Sequence, residues 1–373
     1  MPRTKKLAIG VLFGGRSAEH EVSLVSASSV IGALDRRKYS IVPIGITPEG
    51  RWVSTPDCLD RLKRGRKFPA SAERILLPDP TVHGLVSPGR RPAEVQRLDV
   101  IIPVLHGSFG EDGTVQGLFE LAGIPYVGAG VLGSAVGMDK VVAKQLCERA
   151  GIRVVPCIWF HESEYRQTAT VKEAENKLGY PMFVKPANSG SSVGISKAHD
   201  RRELVDAIAL ALRFDRKVLV EKSIEPAREI EVSVLGNDDP VASVPGEIIS
   251  SNEFYDYDAK YVDGKSREVI PARLAPKVVK ELQKCAVRTF SVLNCSGMGR
   301  VDFLLSGGRT IYLNEINTIP GFTSISMYPK LWQASGVAYP RLLDILIRLA
   351  LDRYRKQRRL RTSFTPKKKW YTE

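Results

Sequence analysis

Apolar and polar positions fall into alternating blocks along the first third of the chain. Runs rich in valine, isoleucine and leucine at 7–13, 41–46 and 99–105 read as strands buried on both faces, and the stretches 19–34 and 114–122 between them have helical spacing. Strands alternating with helices predict a parallel α/β sheet, so residues 1–130 are expected to form a first domain. Within it, the Pro-, Arg- and Gly-rich stretch 61–97 reads as a surface excursion containing short strands. Beyond residue 130, a helix carrying MDKVVAKQLCERAG leads into strands VVPCIWF, PMFVKPA and VGISKA and a helix near 202–212, a smaller α+β unit over 131–220. A third unit, 221–351, is strand-rich and then holds a helix over 276–293, strands at 299–305 and 310–316, and terminal helices. The remainder, 352–373, reads as a basic tail.

A chain of 373 residues that is 43% hydrophobic can bury several cores. The opening MPRTKKLAIGVLF imitates a secretory signal, but its apolar run stops at Gly14 and Gly15, and no later run is long enough to span a membrane. Five cysteines, widely spaced and without a CxxC pair, read as reduced core residues of a cytoplasmic protein, and neither they nor the five histidines have zinc-ligand spacing. The net charge of +14 would suggest nucleic acid if it were spread over the fold. More than half of that excess lies from Arg348 onward, and this stretch, lacking a continued apolar stripe, reads as the end of a helix followed by a solvated extension, with nonspecific attraction to RNA or anionic lipid as the alternative.

The third unit carries the clearest chemistry. In GRVDFLL, Arg300 and Asp302 face one way, and in YLNEINTIPG so do Glu315 and Asn317. The SGGR between these strands reads as a hairpin turn, which would gather Asp302, Glu315 and Asn317. Such hard oxygen donors suit magnesium with substrate phosphates, although a salt-bridged strand face has the same pattern. The second unit supplies cations: Lys140 at a helix start, and Lys185 just before the Ser/Gly loop PANSGSSVG. That loop could cradle phosphates or be a plain turn, and it is not a Walker loop. At the amino end, GGRSAEHEVS follows a strand with a double glycine, as phosphate-binding turns do, yet Glu19 and Glu21 stand where they would repel phosphate. An ammonium group suits that turn better.

Together GGRSAEHEVSLVSA, LHGSFGEDGTVQG, MDKVVAK, FVKPANSGSSVG, EFYDYDAKY, GRVDFLL and NEINTIPGFTSISMYP resemble the D-alanine:D-alanine ligase family of ATP-grasp enzymes, in order, from about Leu7 to Leu351. The resemblance implies a three-domain ATP-grasp fold with a Rossmann-like amino-terminal domain. It also implies ATP as co-substrate, two magnesium ions that manganese can replace, a cytoplasmic homodimer, and no specific nucleic-acid partner. By resemblance Lys140, Lys185, Ser191, Ser192 and the Gly190–Gly194 loop would hold phosphates, Glu221 and Lys222 the adenine edge, and Glu229 the ribose. Asp302, Glu315 and Asn317 would bind the metals, Asn317 also lying against the nucleotide. Glu19 would take the ammonium of the first D-alanine and link to Ser191 and Tyr261, with His106 beside it; Arg300 and the Gly321 N–H would face the oxyanion. Ser326 and the Met327 amide would receive the second substrate's carboxylate, and EFYDYDAKY would be a lid carrying Lys260 and Tyr261. Dipeptide formation through an acyl phosphate follows, in support of peptidoglycan synthesis. The rivals are a D-alanine:D-lactate ligase, which Tyr261 disfavours, and a noncatalytic nucleotide-binding module. Nothing beyond Asp352 resembles a catalytic element, so truncation there is expected to spare activity.

Overall fold

The computed structural model describes residues 6–89, 95–190, 192–249, 267–323 and 325–364. Its first sheet has the order β3-β2-β1-β7, with β1 (Leu7–Gly14) between β2 (Tyr39–Ile46) and β7 (Val100–Val104), both parallel to it, and β3 (Trp52–Val53) antiparallel at the edge. Helix α1 (His20–Ala33) packs on β1, and the crossovers leave both faces of the strands buried, which is why their apolar runs are continuous. The double glycine after β1 is turned inward: Gly14 N–H donates to Ser23 Oγ (2.8 Å) and Gly15 N–H to the Ile46 carbonyl (3.0 Å). Both amides are thus already paired, one with α1 and one with β2. The excursion contains α2 (Cys58–Lys63) and a small antiparallel sheet of β4 (Ile75–Leu76), β5 (Gly84–Val86) and β6 (Val95–Arg97).

Helix α3 (Thr114–Ala122) leads to a pair of helices, the second of which begins at Lys140, where the sequence places a helix start. Helix α4 (Val131–Met138) stops at Asp139, whose extended backbone (ψ 99°) caps α5 (Lys140–Arg149) by accepting from the amides of Val141 and Val142 at 3.1 Å. This break puts Lys140 in the first turn of a new helix. The central sheet then runs β10-β9-β11-β8: β8 (Cys157–His161), β9 (Met182–Pro186), β10 (Ser196–Ala198) and β11 (Lys217–Lys222), all antiparallel neighbours. Its core is closed by α6 (Gln167–Lys177), which the sequence reading passes over, and α7 (Arg201–Ala211). The strand expected across VVPCIWF is confined to its second half, and that across VGISKA to its last three residues described as Ser196–Ala198.

The third sheet is built on β12 (Ala227–Gly236), which pairs with β13 (Val241–Ala242) and β14 (Gly246–Ile249); β15 (Arg267–Val269) lies beyond β14, and β16 (Gly297–Ser306) and β17 (Thr310–Asn317) lie on the other side. Strands β16 and β17 form the expected antiparallel pair, with Asp302 opposite Glu315 and Arg300 opposite Asn317. Helix α8 (Pro276–Val292) covers one face through Val278, Leu282, Ala286 and Phe290. The other face carries the polar row. Helices α9 (Met327–Ala334) and α10 (Tyr339–Gln357) return to the first sheet, where Tyr39 OH donates to Asp344 Oδ1 at 2.7 Å. Among the described residues no helix is long and apolar enough to cross a membrane, and the five cysteines are unpaired.

One expectation at the carboxyl end is corrected. Helix α10 runs past Leu351 to Gln357, and Arg353 points inward, donating to the carbonyls of Gly128 and Tyr126 and to Ser296 Oγ, with its guanidinium 4.3 Å from the Tyr126 ring centre. Arg353 therefore ties the first unit to the third, and basic residues there are not all solvated tail. Truncation after Asp352 is expected to destabilise the protein by about 3 kcal/mol, since charge-assisted bonds of this kind contribute about 1.5–3 kcal/mol each. Truncation after Gln357 should leave stability unchanged. Urea unfolding of both chains checks this; equal midpoints would sink the role given to Arg353.

Candidate active site

The residues singled out from sequence line two adjoining cavities. One, of about 240 Å³, is walled by Glu19, His106, Lys140, Ser192, Arg300, Glu315, Asn317, Gly321, Ser326 and Met327. The other, of about 110 Å³ between the central and third sheets, is walled by Lys185, Glu221, Lys222, Glu229 and Asp302 and again by Ser192, Arg300 and Glu315. Those last three residues, together with Ile195 and Glu231, line both. Ser191, Lys260 and Tyr261 lie outside the described residues.

Glu19 stands just before α1, with no side-chain capping bond to the helix, and is buried where two backbones meet. A side chain at Gly107, whose φ is +71°, would begin 2.4 Å from Glu19 Oε2, and one at Gly190 would begin 2.7 Å from it. A Cβ at either position would push the tip of the carboxylate aside, and glycine at both leaves it where it is. His106 follows the C-terminal end of β7, where open α/β sheets place ligands. Its Nδ1 faces the Ile319 carbonyl at 3.2 Å and its Nε2 faces Ser26 Oγ at 3.3 Å. A carbonyl can only accept, so Nδ1 carries the proton and Nε2 accepts from the hydroxyl. Burial holds the imidazole below its ordinary pKa, against the opposing pull of Glu19. His106 is a neutral wall of the cavity.

Glu111, missed in the sequence reading, joins the same region. Its carboxylate accepts from Gly107 N–H at 2.8 Å and from Ile319 N–H at 3.1 Å, bridging segments more than two hundred residues apart. Burial, with the nearby charge of Glu19, pushes it up to about 8. The motif LHGSFGEDG contains Glu111, but no local signal identifies its distant partner.

The cations are ordered by anions. Lys140 Nζ donates to the Ser189 carbonyl at 2.6 Å and lies 3.4 Å from Glu315 Oε2. Lys185 Nζ is 2.6 Å from Glu221 Oε2, while Lys144 Nζ is 2.7 Å from Glu221 Oε1. Burial opposes ionisation of Glu221, but the two lysines outweigh it and hold its carboxyl below the ordinary range; Lys185 is likewise lowered by burial and raised overall by Glu221 and Glu315. Lys144 is a second missed residue, one helical turn after Lys140 on α5.

On the third sheet, Arg300 donates to Asp302 through Nε (2.8 Å) and Nη2 (2.7 Å), and Asn317 Nδ2 donates to Asp302 Oδ2 at 3.0 Å. Although burial disfavours its charge, Asp302, Glu231 and Glu315 keep Arg300 ionised far above its usual range. Among the described residues no three His, Cys, Asp or Glu side chains form a ready-made metal cage. Two carboxylates and one amide oxygen on a single face are nonetheless the kind of partial shell that magnesium uses when phosphates complete it. The donor chemistry fits the ion. Near the second wall, Ser326 Oγ accepts from Thr323 N–H at 3.0 Å and lies 2.8 Å from Thr323 Oγ1, and Met327 opens α9.

A cleft between two antiparallel sheets, with lysines on one side and a carboxylate hairpin on the other, defines the protein as an ATP-grasp type of mixed α/β fold. Residues 8–129 match the family model described as the D-ala D-ala ligase N-terminus and residues 146–348 match that described as the D-ala D-ala ligase C-terminus, so the chain belongs to the D-alanine–D-alanine ligase family. It is 51% identical over 366 residues to the D-alanine–D-alanine ligase of Natranaerobius thermophilus, covering 97% of this chain and 99% of that one. The corresponding protein of Heliobacterium modesticaldum is also 51% identical, over 368 residues and the same shares. Among solved structures, the VanG D-Ala:D-Ser ligase from Enterococcus faecalis superposes with a TM-score of 0.83 at 40% identity, covering 93% of this chain and all of that one. The D-alanine-D-alanine ligase from Coxiella burnetii gives 0.82 at 36% identity, covering 95% and 98%.

Proposed function

We propose that this chain is an enzyme joining two D-alanine molecules with ATP, through an acyl phosphate, to give D-alanyl-D-alanine, ADP and phosphate for peptidoglycan precursor synthesis. The observation that carries the reading is the shared wall of Ser192, Arg300 and Glu315: whatever fills the Lys185–Glu221 cavity meets, at those residues, whatever fills the Glu19 cavity. We take the chain as three units, 1–130, 131–220 and 221 onward, with the third extended through α10, working as a cytoplasmic homodimer.

Glu19 receives the ammonium of the first D-alanine, a match of charge that the buried carboxylate favours. Lys140 and Lys185, with Ser191, Ser192 and the Gly190–Gly194 loop, hold the phosphates; Glu221 and Lys222 face the adenine and Glu229 the ribose. Asp302, Glu315 and Asn317 would hold two magnesium ions, which supply charge neutralisation at the terminal phosphates. A carboxylate acylates poorly, so its oxygen takes the γ-phosphoryl group and phosphate becomes the later leaving group. The amine of the second D-alanine, once its ammonium has given up a proton, attacks the acyl carbon, and phosphate leaves as the peptide bond forms. Arg300 and the Gly321 N–H face the developing oxyanion. Ser326 and the Met327 amide, at a helix start, suit the second carboxylate. Lys260 and Tyr261 belong to the lid that excludes water while acyl phosphate exists.

The experiment follows the bond that breaks. Purified protein with magnesium, ATP and D-alanine labelled with heavy oxygen in its carboxylate is expected to release ADP and phosphate bearing one labelled oxygen. AMP, or unlabelled phosphate during confirmed dipeptide synthesis, would overturn the acyl-phosphate route. Bound nucleotide without turnover would favour the noncatalytic module. A second reading, ligation of D-serine as the second substrate, is favoured by the likeness to the VanG D-Ala:D-Ser ligase. Offering D-serine and D-lactate in competition with D-alanine decides between the products.

A further inference from the structure

Two carboxylates hold Arg300. Besides the paired contacts with Asp302, its Nε lies 3.0 Å from Glu231 Oε2. Glu231 stands on β12 directly opposite Asp302, which is opposite Glu315 on β17, so three carboxylates form a row across three strands. The Glu231 side chain is only 7% exposed, which makes it a buried charge that none of the roles above uses. Under the metal assignment proposed above, on which this inference rests, Asp302 must give its oxygens to a divalent cation. Arg300 now occupies both of them. Freeing Asp302 would strand a buried guanidinium unless another anion kept it paired, and stranded buried charges are strongly unfavourable. Glu231 is already within reach.

We propose that Glu231 is a positioning residue that retains Arg300 when Asp302 turns to a divalent cation, so that cation and guanidinium stand together at the boundary of the two cavities. Its effect on metal binding then passes through Arg300. The test measures Mn2+ binding by water-proton relaxation with a nonhydrolysable ATP analogue present, so that no turnover is needed. Glu231→Gln is expected to weaken Mn2+ binding about tenfold, the scale of partners that orient ligands, and to leave metal-free analogue binding unchanged. In an Arg300→Met background the same substitution is expected to change Mn2+ binding less than about twofold, because coupled residues are not additive. Unchanged Mn2+ binding in the single variant, or the same loss in both backgrounds, would overturn the proposal; the latter would mean that Glu231 acts on the cation directly. If Glu231→Gln does not fold, Glu231→Asp, which keeps charge but shortens reach, is measured in both backgrounds against the same criteria. Asp302→Asn is run beside them. Wild-type Mn2+ affinity there would overturn the metal assignment itself, separately from the role of Glu231.

Discussion

Glu315→Gln is expected to cut ligation on the order of a thousandfold, about 4 kcal/mol of transition-state stabilisation, while the protein remains folded. Glu315 stands opposite Asp302, lines both cavities and is the carboxylate nearest Lys140. The amide keeps the side chain's shape but gives up the charge that Lys140 faces and that a divalent cation would share. Lys140 still has the Ser189 carbonyl, so the stability cost should stay near about 1 kcal/mol. Coupled measurement of phosphate and dipeptide, with thermal melting by circular dichroism as the control for folding, checks both halves. Turnover within a few-fold of the parent in a folded variant would rule out Glu315 as a metal ligand.

Glu221→Gln should do the opposite kind of damage, to the fold before the chemistry. The carboxylate is 2% exposed and is held between Lys144 and Lys185, which are 4% and 11% exposed. Breaking a buried ion network by removing one member costs about 3–5 kcal/mol, because the remaining charges stay desolvated without a counter-charge. Lys144 and Lys185 both lose their nearest counter-charge here. Urea unfolding at neutral pH should show the drop, and Lys144→Met in the same chain should recover part of it, since it removes one stranded charge. A midpoint unchanged by Glu221→Gln would sink the account. The pH dependence has a definite sign in the parent protein. Glu221 titrates below its unfolded value, so its contribution is full above about pH 4.3 and is lost as pH falls through the folded pKa. Lys185 titrates above its unfolded value, so its contribution is full below about pH 10.4 and is lost as pH rises through the folded pKa. The network should therefore support the fold throughout the neutral range and fail at both extremes.

What could be read from the sequence was what depends on near neighbours. The β16–β17 hairpin announced itself through two-residue alternation on either side of a glycine turn, and the observed register brings Asp302 and Glu315 face to face. His106 was legible because a buried parallel strand ends just before it. Long-range partners were not. Glu111 looks like any loop carboxylate until Ile319 arrives beside it, and nothing local to Glu231 reveals that Arg300 lies across the strand pair. Arg353 was hidden among basic neighbours, since a charge run does not say which member turns inward. The helix start at Lys140 was legible, and Asp139 just before it supplies the capping carboxylate that fixes the boundary.

The seat of Glu19 between Gly107 and Gly190 bears on how the site could escape a drug. A compound anchored on that carboxylate would be flanked by peptide backbone at two positions, and a bacterium cannot alter backbone by point mutation. Any side chain introduced at 107 or 190 would run into the Glu19 oxygen first, 2.4 or 2.7 Å away, before it could reach the compound. Substitution at either position would have to move the Glu19 carboxylate itself, so with Glu19 holding the substrate ammonium as proposed above, selection should look for resistance elsewhere along the cavity wall.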